Sequence, residues 1–416
     1  MTEGTPSMTA SPATAATPTR VFGGADTHAD TIHVAAVDAL GRDLGDGEFP
    51  TTPAGYRAAL GFLTGIGAVE AVGIEGTSSY GAGLARAAIE AGLVVVEVNR
   101  PDRAHRRRRG KSDPIDAYQA AHAVASGRAA AAPKYESTEV IRAVHNARNS
   151  AVKATTAAMN QIHQLLVTAP AEVRERYRHL KEKSLVKALA ATRPHAPNST
   201  LDAAGRIVAD VLRTLARRHQ HLTAEADGLE QQLRELVTEL NPGLLAAHGV
   251  GPVTAAQLLI TAGGNPDRLR SEAAFAALCG AAPVPASSGK TTRHRLSRGG
   301  DRAANCALHT IALVRLSSDP RTRAWAARQR AAGRTGLELL RLLKRALARE
   351  IYRYLTRQIA VPEYQDLRTT RQAKNITLTA AAQHFGLWPT AISRIERGLQ
   401  RDDDLANRYR NWLTAA

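Results

Sequence analysis

Apolar and polar positions change their period several times along this chain, and the changes divide it. From residue 21 to 126, short apolar runs alternate with helical ones. VFGGAD (21–26) and TIHVAAVD (31–38) read as strands with a turn at THAD between them, and a third strand-like run follows near GRDLGDGEF. A helical stretch around AGYRAALGFL (54–63) leads to EAVGIEG (70–76), a short apolar strand ending in a glutamate. GAGLARAAIEAG (81–92) has helical spacing and closes on glycine. LVVVEVN (93–99) is another buried strand, and DPIDAYQAAHAVA (113–125) is a helix with Pro114 in its first turn. The predicted order is three strands, helix, strand, helix, strand, helix, an α/β domain over 21–136.

The remainder is mostly α. Residues 137–240 read as helical, and the second half carries an apolar seam: Leu212, Leu215, His219, Leu222, Ala226, Leu229, Leu233, Leu236, Leu240. Steps of three and four alternate without a break, the a/d pattern of a coiled coil. The seam fits an antiparallel helical arm, a dimer coiled coil, or a helix packed inside its own domain. PHAPNST (194–200) is the expected break between arms. Residues 241–360 form a second compact unit that contains a Gly/Ser/Lys/Arg stretch at 286–302. Its last helix, 337–358, places Arg341, Arg345, Arg349, Arg353 and Arg357 at intervals of four. That stripe suits either phosphate tracking or a solvated face. A small module follows at 371–416. The first twenty residues are low-complexity Thr/Ala/Pro/Ser and are expected to be a disordered tail, with no apolar segment of a signal peptide.

Composition narrows the partners. Apolar residues make up 44% of the 416, enough for real cores, but aromatics are only 4%, so those cores rest on Ala, Val and Leu. A net charge of +17 points to a polyanion, with nucleic acid the first expectation and an anionic membrane surface the alternative. No apolar run approaches the roughly 20 residues of a spanning helix. The two cysteines, Cys279 and Cys306, have neither disulfide nor zinc spacing, which fits a reducing cytoplasm.

Four carboxylates then stand out. Asp26 ends the first strand and Glu75 the fourth; Asp113 and Asp116 are one helical turn apart and share a helix face. Adjacent parallel strands can bring Asp26 and Glu75 to one sheet edge, and a helix across that edge adds the other two. Four such groups repel unless a cation neutralises them, and oxygen ligands on rigid elements suit Mg²⁺ or Mn²⁺. Two such ions clamp a scissile phosphodiester. Each residue also has an ordinary role open to it: turn residue for Asp26, surface charge for Glu75, helix N-cap for Asp113, first-turn dipole partner for Asp116.

The arrangement resembles the RNase H-like fold of Holliday-junction resolvases. Over about residues 21–360 the chain resembles more closely the DEDD transposases of bacterial insertion sequences, the bridge-RNA-guided serine recombinases. ADTHADTIHVAAVD, GIEGTSSYG, VEVNRPDRAHRRRRGKSDPIDA and the serine-bearing C-terminal stretch carry the likeness. The resemblance implies a DNA transposase working as a homo-oligomer with a guide RNA. It implies an N-terminal RNase H-like domain whose Asp26, Glu75, Asp113 and Asp116 hold Mg²⁺ or Mn²⁺, a helical coiled-coil arm (137–240), and a helical transposase domain (241–360).

In that last domain HGVGPVTAAQLL has the shape of a helix-hairpin-helix. Gly249 and Gly251 would let backbone amides approach a phosphate, or they simply form a turn between helices. PVPASSG is a loop that exposes Ser287 and Ser288 beside Lys290, Arg293, Arg295, Arg298 and Arg302. On residue types alone this is a phosphate-binding segment, since an isolated serine is a poor nucleophile. The resemblance implies that the serine of the Ser-Gly pair, Ser288, attacks DNA and forms a phosphoserine link, with Ser287 the adjacent alternative. No Walker loop is present, in keeping with chemistry that needs no ATP.

The tail ITLTAAAQHFGLWPTAISRIERGLQ (376–400) resembles a helix-turn-helix of the lambda repressor and Cro type, outside the family pattern. Gly386 would sit at the turn, with Thr390, Ser393 and Arg394 on a recognition helix. A helical cap packed on the body is the alternative. The arginine block Arg106, Arg107, Arg108, Arg109 with Lys111 precedes the Asp113 helix and is expected to grip the phosphate backbone there, or to be a solvated charge run. Two rival functions stay open: a junction nuclease that uses water, and a repressor-like DNA-binding protein with an inactive catalytic half.

Overall fold

The computed structural model describes residues 19–415 apart from 99–111, 134–135, 198, 266–268, 290–293, 296, 298, 358, 360, 362–363 and 399–401. The expected tail up to residue 18, the block Arg106–Lys111, and Lys290, Arg293 and Arg298 lie outside the described residues. The chain divides into two compact units, Met1–Tyr135 and Glu136–Ala416.

The first unit is the α/β part. Strands β1 (Arg20–Thr27), β2 (Thr31–Asp38) and β3 (Asp43–Pro50) precede helix α1 (Pro53–Ile66). Then come β4 (Ala68–Glu75), α2 (Ala82–Glu90), β5 (Val95–Val98) and α3 (Asp113–Ala125). The sheet order is β3-β2-β1-β4-β5. β1 pairs antiparallel with β2, and β2 with β3, while β4 runs parallel to both β1 and β5. β1, the central strand, is buried along most of its length, as a strand covered on both faces must be.

One glycine pairing sets the layers. Gly24 of β1 is opposite Gly73 of β4. A Cβ on Gly24 would lie 2.2 Å from both the Ala117 carbonyl oxygen and the Ala121 nitrogen, and one on Gly73 would lie 3.0 Å from the Ala120 carbonyl oxygen. Both glycines therefore face α3, and their missing side chains let that helix lie directly on the sheet. The small residues Ala117, Ala120 and Ala121 complete the fit from the helix side. Gly23 faces the other way, toward Leu63 of α1. That side holds the larger core, which includes Val21, Ile32, Val34, Leu60, Leu63, Ile74 and Leu84.

The second unit is helical. Its long helices are α4 (Glu136–Thr168) and α7 (Ala203–Leu240), joined through the short α5 (Ala171–Tyr177) and α6 (Glu182–Ala191). Ile162 shares a core with Leu212 and Ala216, while Ile141 shares another with Leu233 and Val237, so α4 and α7 pack antiparallel. Every residue of the predicted seam, Leu212 to Leu240, is buried or partly buried. The seam is thus filled within one chain.

After it come α8 (Pro242–Ala246), α9 (Pro252–Ala262), α10 (Glu272–Leu278), the two-residue strands β6 (Val284–Pro285) and β7 (His294–Arg295), α11 (Arg302–Ser318), α12 (Pro320–Ala331) and α13 (Gly336–Thr356). Phe275, Leu308, Ile311, Leu347 and Ile351 join Leu233, Val237 and Leu259 in one core. The C-terminal helices α14 (Gln365–Ala373), α15 (Leu378–Phe385), α16 (Pro389–Glu396) and α17 (Asp403–Ala415) have a core of their own, around Leu367, Ala382, Ile392, Ile395 and Tyr409. Inside it Arg371 forks onto both oxygens of Glu396 at 2.6 and 3.0 Å, and the Tyr409 hydroxyl donates to Glu396 at 2.8 Å. No helix among the described residues is long and apolar enough to cross a membrane.

Candidate metal centre and nucleic-acid interface

Strand alternation carries the glycine geometry forward to the carboxylates. Asp26 lies two residues beyond Gly24 and Glu75 two beyond Gly73, so both share the face on which α3 rests. The N-terminal end of α3 supplies Asp113 and Asp116 to that face. Ser112 holds the N-cap position, with extended backbone, so Asp113 is the first helical residue and not the cap. The Thr27 hydroxyl donates to the Glu75 carbonyl at 3.1 Å and ties the ends of β1 and β4 together.

Asp26 is 8% exposed and Asp116 5%. Burial pushes the Asp26 carboxyl above the ordinary carboxylate range; neighbouring His28 pulls it down, while Asp116 and Asp113 push it further up. The Asp26 and Asp113 carboxylates flank His28, whose Nε2 is 3.2 Å from Asp26 Oδ2 and 3.3 Å from Asp113 Oδ1. Ligand atoms of Asp26, His28 and Asp113 all lie within 4.8 Å of one another. Asp26 Oδ2 is buried and accepts no hydrogen bond among the described residues. A carboxylate oxygen left this way in a cluster of like charge fits a cation. Glu75 and Asp116 are not members of the 4.8 Å cluster.

His28 is the site residue that sequence reasoning missed, because THAD reads as an ordinary turn. The spacing Asp-x-His at the end of a buried strand was the available signal. A second polar group lies on the same helix. Tyr118 donates to Asp46 Oδ1 at 3.0 Å, and His33 approaches Asp46 Oδ2 at 2.6 Å. Burial and then the Asp46 contacts push the Tyr118 hydroxyl up to about 12. These contacts clamp α3 to β2 and β3.

In the second unit Ser287 and Ser288 are both exposed, in the loop framed by β6 and β7. Gly289 has φ +54, a left-handed turn that glycine adopts without strain. Arg295, in β7, and Arg302, at the start of α11, follow this segment and are exposed. A part-buried polar network joins α13, α11 and the residues just after α10. Lys344 donates to Asn305 Oδ1 at 2.9 Å, and Asn305 donates to the carbonyls of Cys279 and Gly280 at 2.9 and 3.1 Å.

Gly249 lies between α8 and α9 with φ +79, where a Cβ would lie 3.3 Å from the Arg315 side chain and 3.4 Å from the Ile311 carbonyl oxygen. Arg315 donates to the His248 carbonyl at 2.7 Å and forks onto Glu350 at 2.8 and 2.7 Å. The Gly251 amide donates to Thr254 Oγ1 at 3.0 Å. This turn is therefore anchored to the body, and one of the amides expected to meet a phosphate is already engaged. In the arginine stripe of α13, Arg345 and Arg349 both pair with Glu272, at 2.6 and 3.3 Å, while Arg341, Arg353 and Arg357 remain exposed. In the tail, Gly386 caps α15 with φ +64, and on α16 Thr390 and Arg394 are exposed while Ser393 is half-buried.

Two transposase families match parts of the chain. Residues 23–169 match the DEDD transposase family of the IS110 type, and residues 243–326 match the transposase family described as IS116/IS110/IS902. Over 146 residues the chain is 33% identical to a protein of Streptomyces coelicolor (strain ATCC BAA-471 / A3(2) / M145) described as the insertion element IS110 uncharacterized 43.6 kDa protein. That alignment covers 34% of this chain and 35% of the relative.

Proposed function

The chain belongs to the IS110-type DEDD transposases of insertion sequences, and from that premise we propose that it cuts and rejoins the DNA of a mobile element. The observation that carries the reading is the face shared by Asp26, Glu75, Asp113 and Asp116, with an unsatisfied buried oxygen on Asp26.

In this reading the first unit is an RNase H-like catalytic domain. Its four carboxylates hold Mg²⁺ or Mn²⁺, which when bound would draw electron density from a scissile phosphate. Asp26 and Glu75 fix the site from the sheet; Asp113 and Asp116 close it from α3. Ser288 is the nucleophile, and Ser287 is its alternative. Its Oγ bonds to phosphorus, the bond from phosphorus to the 3′ oxygen breaks, and the serine proton ends on the departing 3′-hydroxyl. The new phosphoserine ester conserves the bond, so rejoining to a second strand needs no nucleotide triphosphate.

Arg295 and Arg302 bind phosphate, as do Lys290, Arg293 and Arg298, which follow Ser288 in the sequence. The block Arg106–Lys111, which precedes Asp113 in the sequence, also binds phosphate. The α4–α7 pair is the helical arm, Gly249 and Gly251 form the helix-hairpin-helix turn, and α15–α16 is a helix-turn-helix that presents Thr390, Ser393 and Arg394 to a groove. A homo-oligomer and a guide RNA complete the assembly, acting in the bacterial cytoplasm on nucleoid DNA.

The test is a covalent adduct. The protein is incubated with Mg²⁺, supercoiled target and RNA from the element's flanks, and SDS then reveals protein-linked DNA. An adduct lost in Ser288→Ala and in Asp113→Ala is the expected result. Free cut ends that survive Ser288→Ala indicate the water-using nuclease instead. Binding without cutting, unaffected by Asp113→Ala, indicates a repressor.

A further inference from the structure

His28 is held in place before any ion arrives. Its amide donates to the Thr31 carbonyl at 2.9 Å, and its own carbonyl accepts from Thr51 Oγ1 at 3.3 Å. The backbone is thus pinned from β2 and from the segment after β3. The ring nitrogen lies between one oxygen of Asp26 and one of Asp113, at nearly equal distances. Neither His28 Nε2 nor Asp26 Oδ2 makes a hydrogen bond among the described residues, and both atoms are buried. A histidine placed only to orient a carboxylate would aim an N–H along an oxygen lone pair. Here three ligand atoms, two from the end of β1 and the turn after it and one from the start of α3, instead lie within 4.8 Å of one another.

The donor set differs from one made of oxygens alone. Mg²⁺ is hard and takes oxygen ligands in a strict octahedron, while imidazole nitrogen suits manganese less than later first-row metals but more than it suits magnesium. We propose that His28 is a metal ligand, and that the Asp26–His28–Asp113 set selects Mn²⁺ or a later first-row divalent ion over Mg²⁺. This rests on the carboxylate face being a metal site.

The test uses the full chain and Mn²⁺, followed by electron paramagnetic resonance. Pulsed spectra of the bound ion are expected to show coupling to one imidazole nitrogen, absent in His28→Ala. Mn²⁺ affinity should fall on the order of tenfold or more in that variant, as for loss of a group that supports a metal, while Mg²⁺ affinity, read by competition, changes less. The half-exposed ring predicts that metal-free His28→Ala melts with the wild type; His28→Asn serves as the second variant. Tightly bound Mn²⁺ with couplings to oxygen ligands only, or an unchanged Mn²⁺-to-Mg²⁺ ratio in His28→Ala, overturns this inference and leaves the metal site standing. Mn²⁺ that fails to bind, or that binds equally well to Asp26→Asn, removes both.

Discussion

Gly24→Ala adds one methyl group where β1 meets α3. The new Cβ would sit 2.2 Å from the Ala117 oxygen and the Ala121 nitrogen, and 2.8 Å from the Ala121 α-carbon. All three obstacles are backbone atoms of α3, so no rotamer change relieves them. Restoring ordinary contact requires the helix to retreat from the sheet by on the order of 1 Å. Overpacking of this kind costs about 1–3 kcal/mol. The same displacement carries Asp113 and Asp116 away from Asp26, and a 1 Å misplacement of reacting groups costs about 10²-fold in rate. Two measurements read the two effects: thermal melting for the packing cost, and divalent-ion binding with DNA cleavage for the site. Gly61→Ala is the control, because a Cβ there meets nothing within 4 Å and the position lies inside α1; it should stabilise by about 0.5–1 kcal/mol. A Gly24→Ala protein with wild-type melting, ion affinity and cleavage would refute the claim that glycine sets the spacing of this site. Gly73→Ala should be milder, since its closest obstacle is the Val124 side chain at 2.6 Å.

Two further outcomes follow from buried polar groups in the second unit. Burial, and then Arg148, hold the His145 imidazole below its ordinary range. The unfolded chain therefore takes up this proton first as pH falls, so stability is full above the unfolded value of about 6.5 and is lost as pH drops through the folded one. Melting profiles between pH 7 and 5 should slope accordingly, and His145→Gln should flatten them; an unchanged slope would count against this assignment. Glu396→Ala strands Arg371 inside the C-terminal core, where both side chains are nearly inaccessible, and should destabilise those helices by about 3–5 kcal/mol. Hydrogen exchange over 364–415 should rise, with the first unit's protection unchanged; wild-type protection there would show that the pair is not holding the module.

Much of the α/β unit was legible because its elements are short and sharply bounded. The helix expected at 113–125 is observed over those residues, and the three-strand opening and the alternation that follows match the sequence pattern. Asp26, Glu75, Asp113 and Asp116 could be singled out as candidates because each sits near an element's end, where strand and helix periods decide the face. His28 was not, because its meaning depends on a helix some 85 residues away in sequence. Gly24 and Gly73 carry no distinct signal in the sequence, because their role depends on α3 lying on them. The stripe on α13 looked uniform in sequence, yet Glu272 engages two of its arginines, a pairing that no local spacing predicts. The short helices α5 and α6 were hidden inside what reads as one helical stretch.

The antiparallel pair of α4 and α7 has a mechanical consequence. Its ends are anchored by large residues: Ile162, Leu185, Leu189 and Leu212 at one, Ile141, Leu233 and Val237 at the other. Between them the fully buried positions are mostly alanines, Ala151, Ala158, Ala216 and Ala226. Alanine lets two helices run close together but removes little apolar surface from water. A helix of 38 residues spans about 57 Å, so the pair behaves as a long beam clamped at both ends with a compliant middle. Bending there deforms the fewest large contacts, and amide exchange along the pair should be fastest midway, near the alanines.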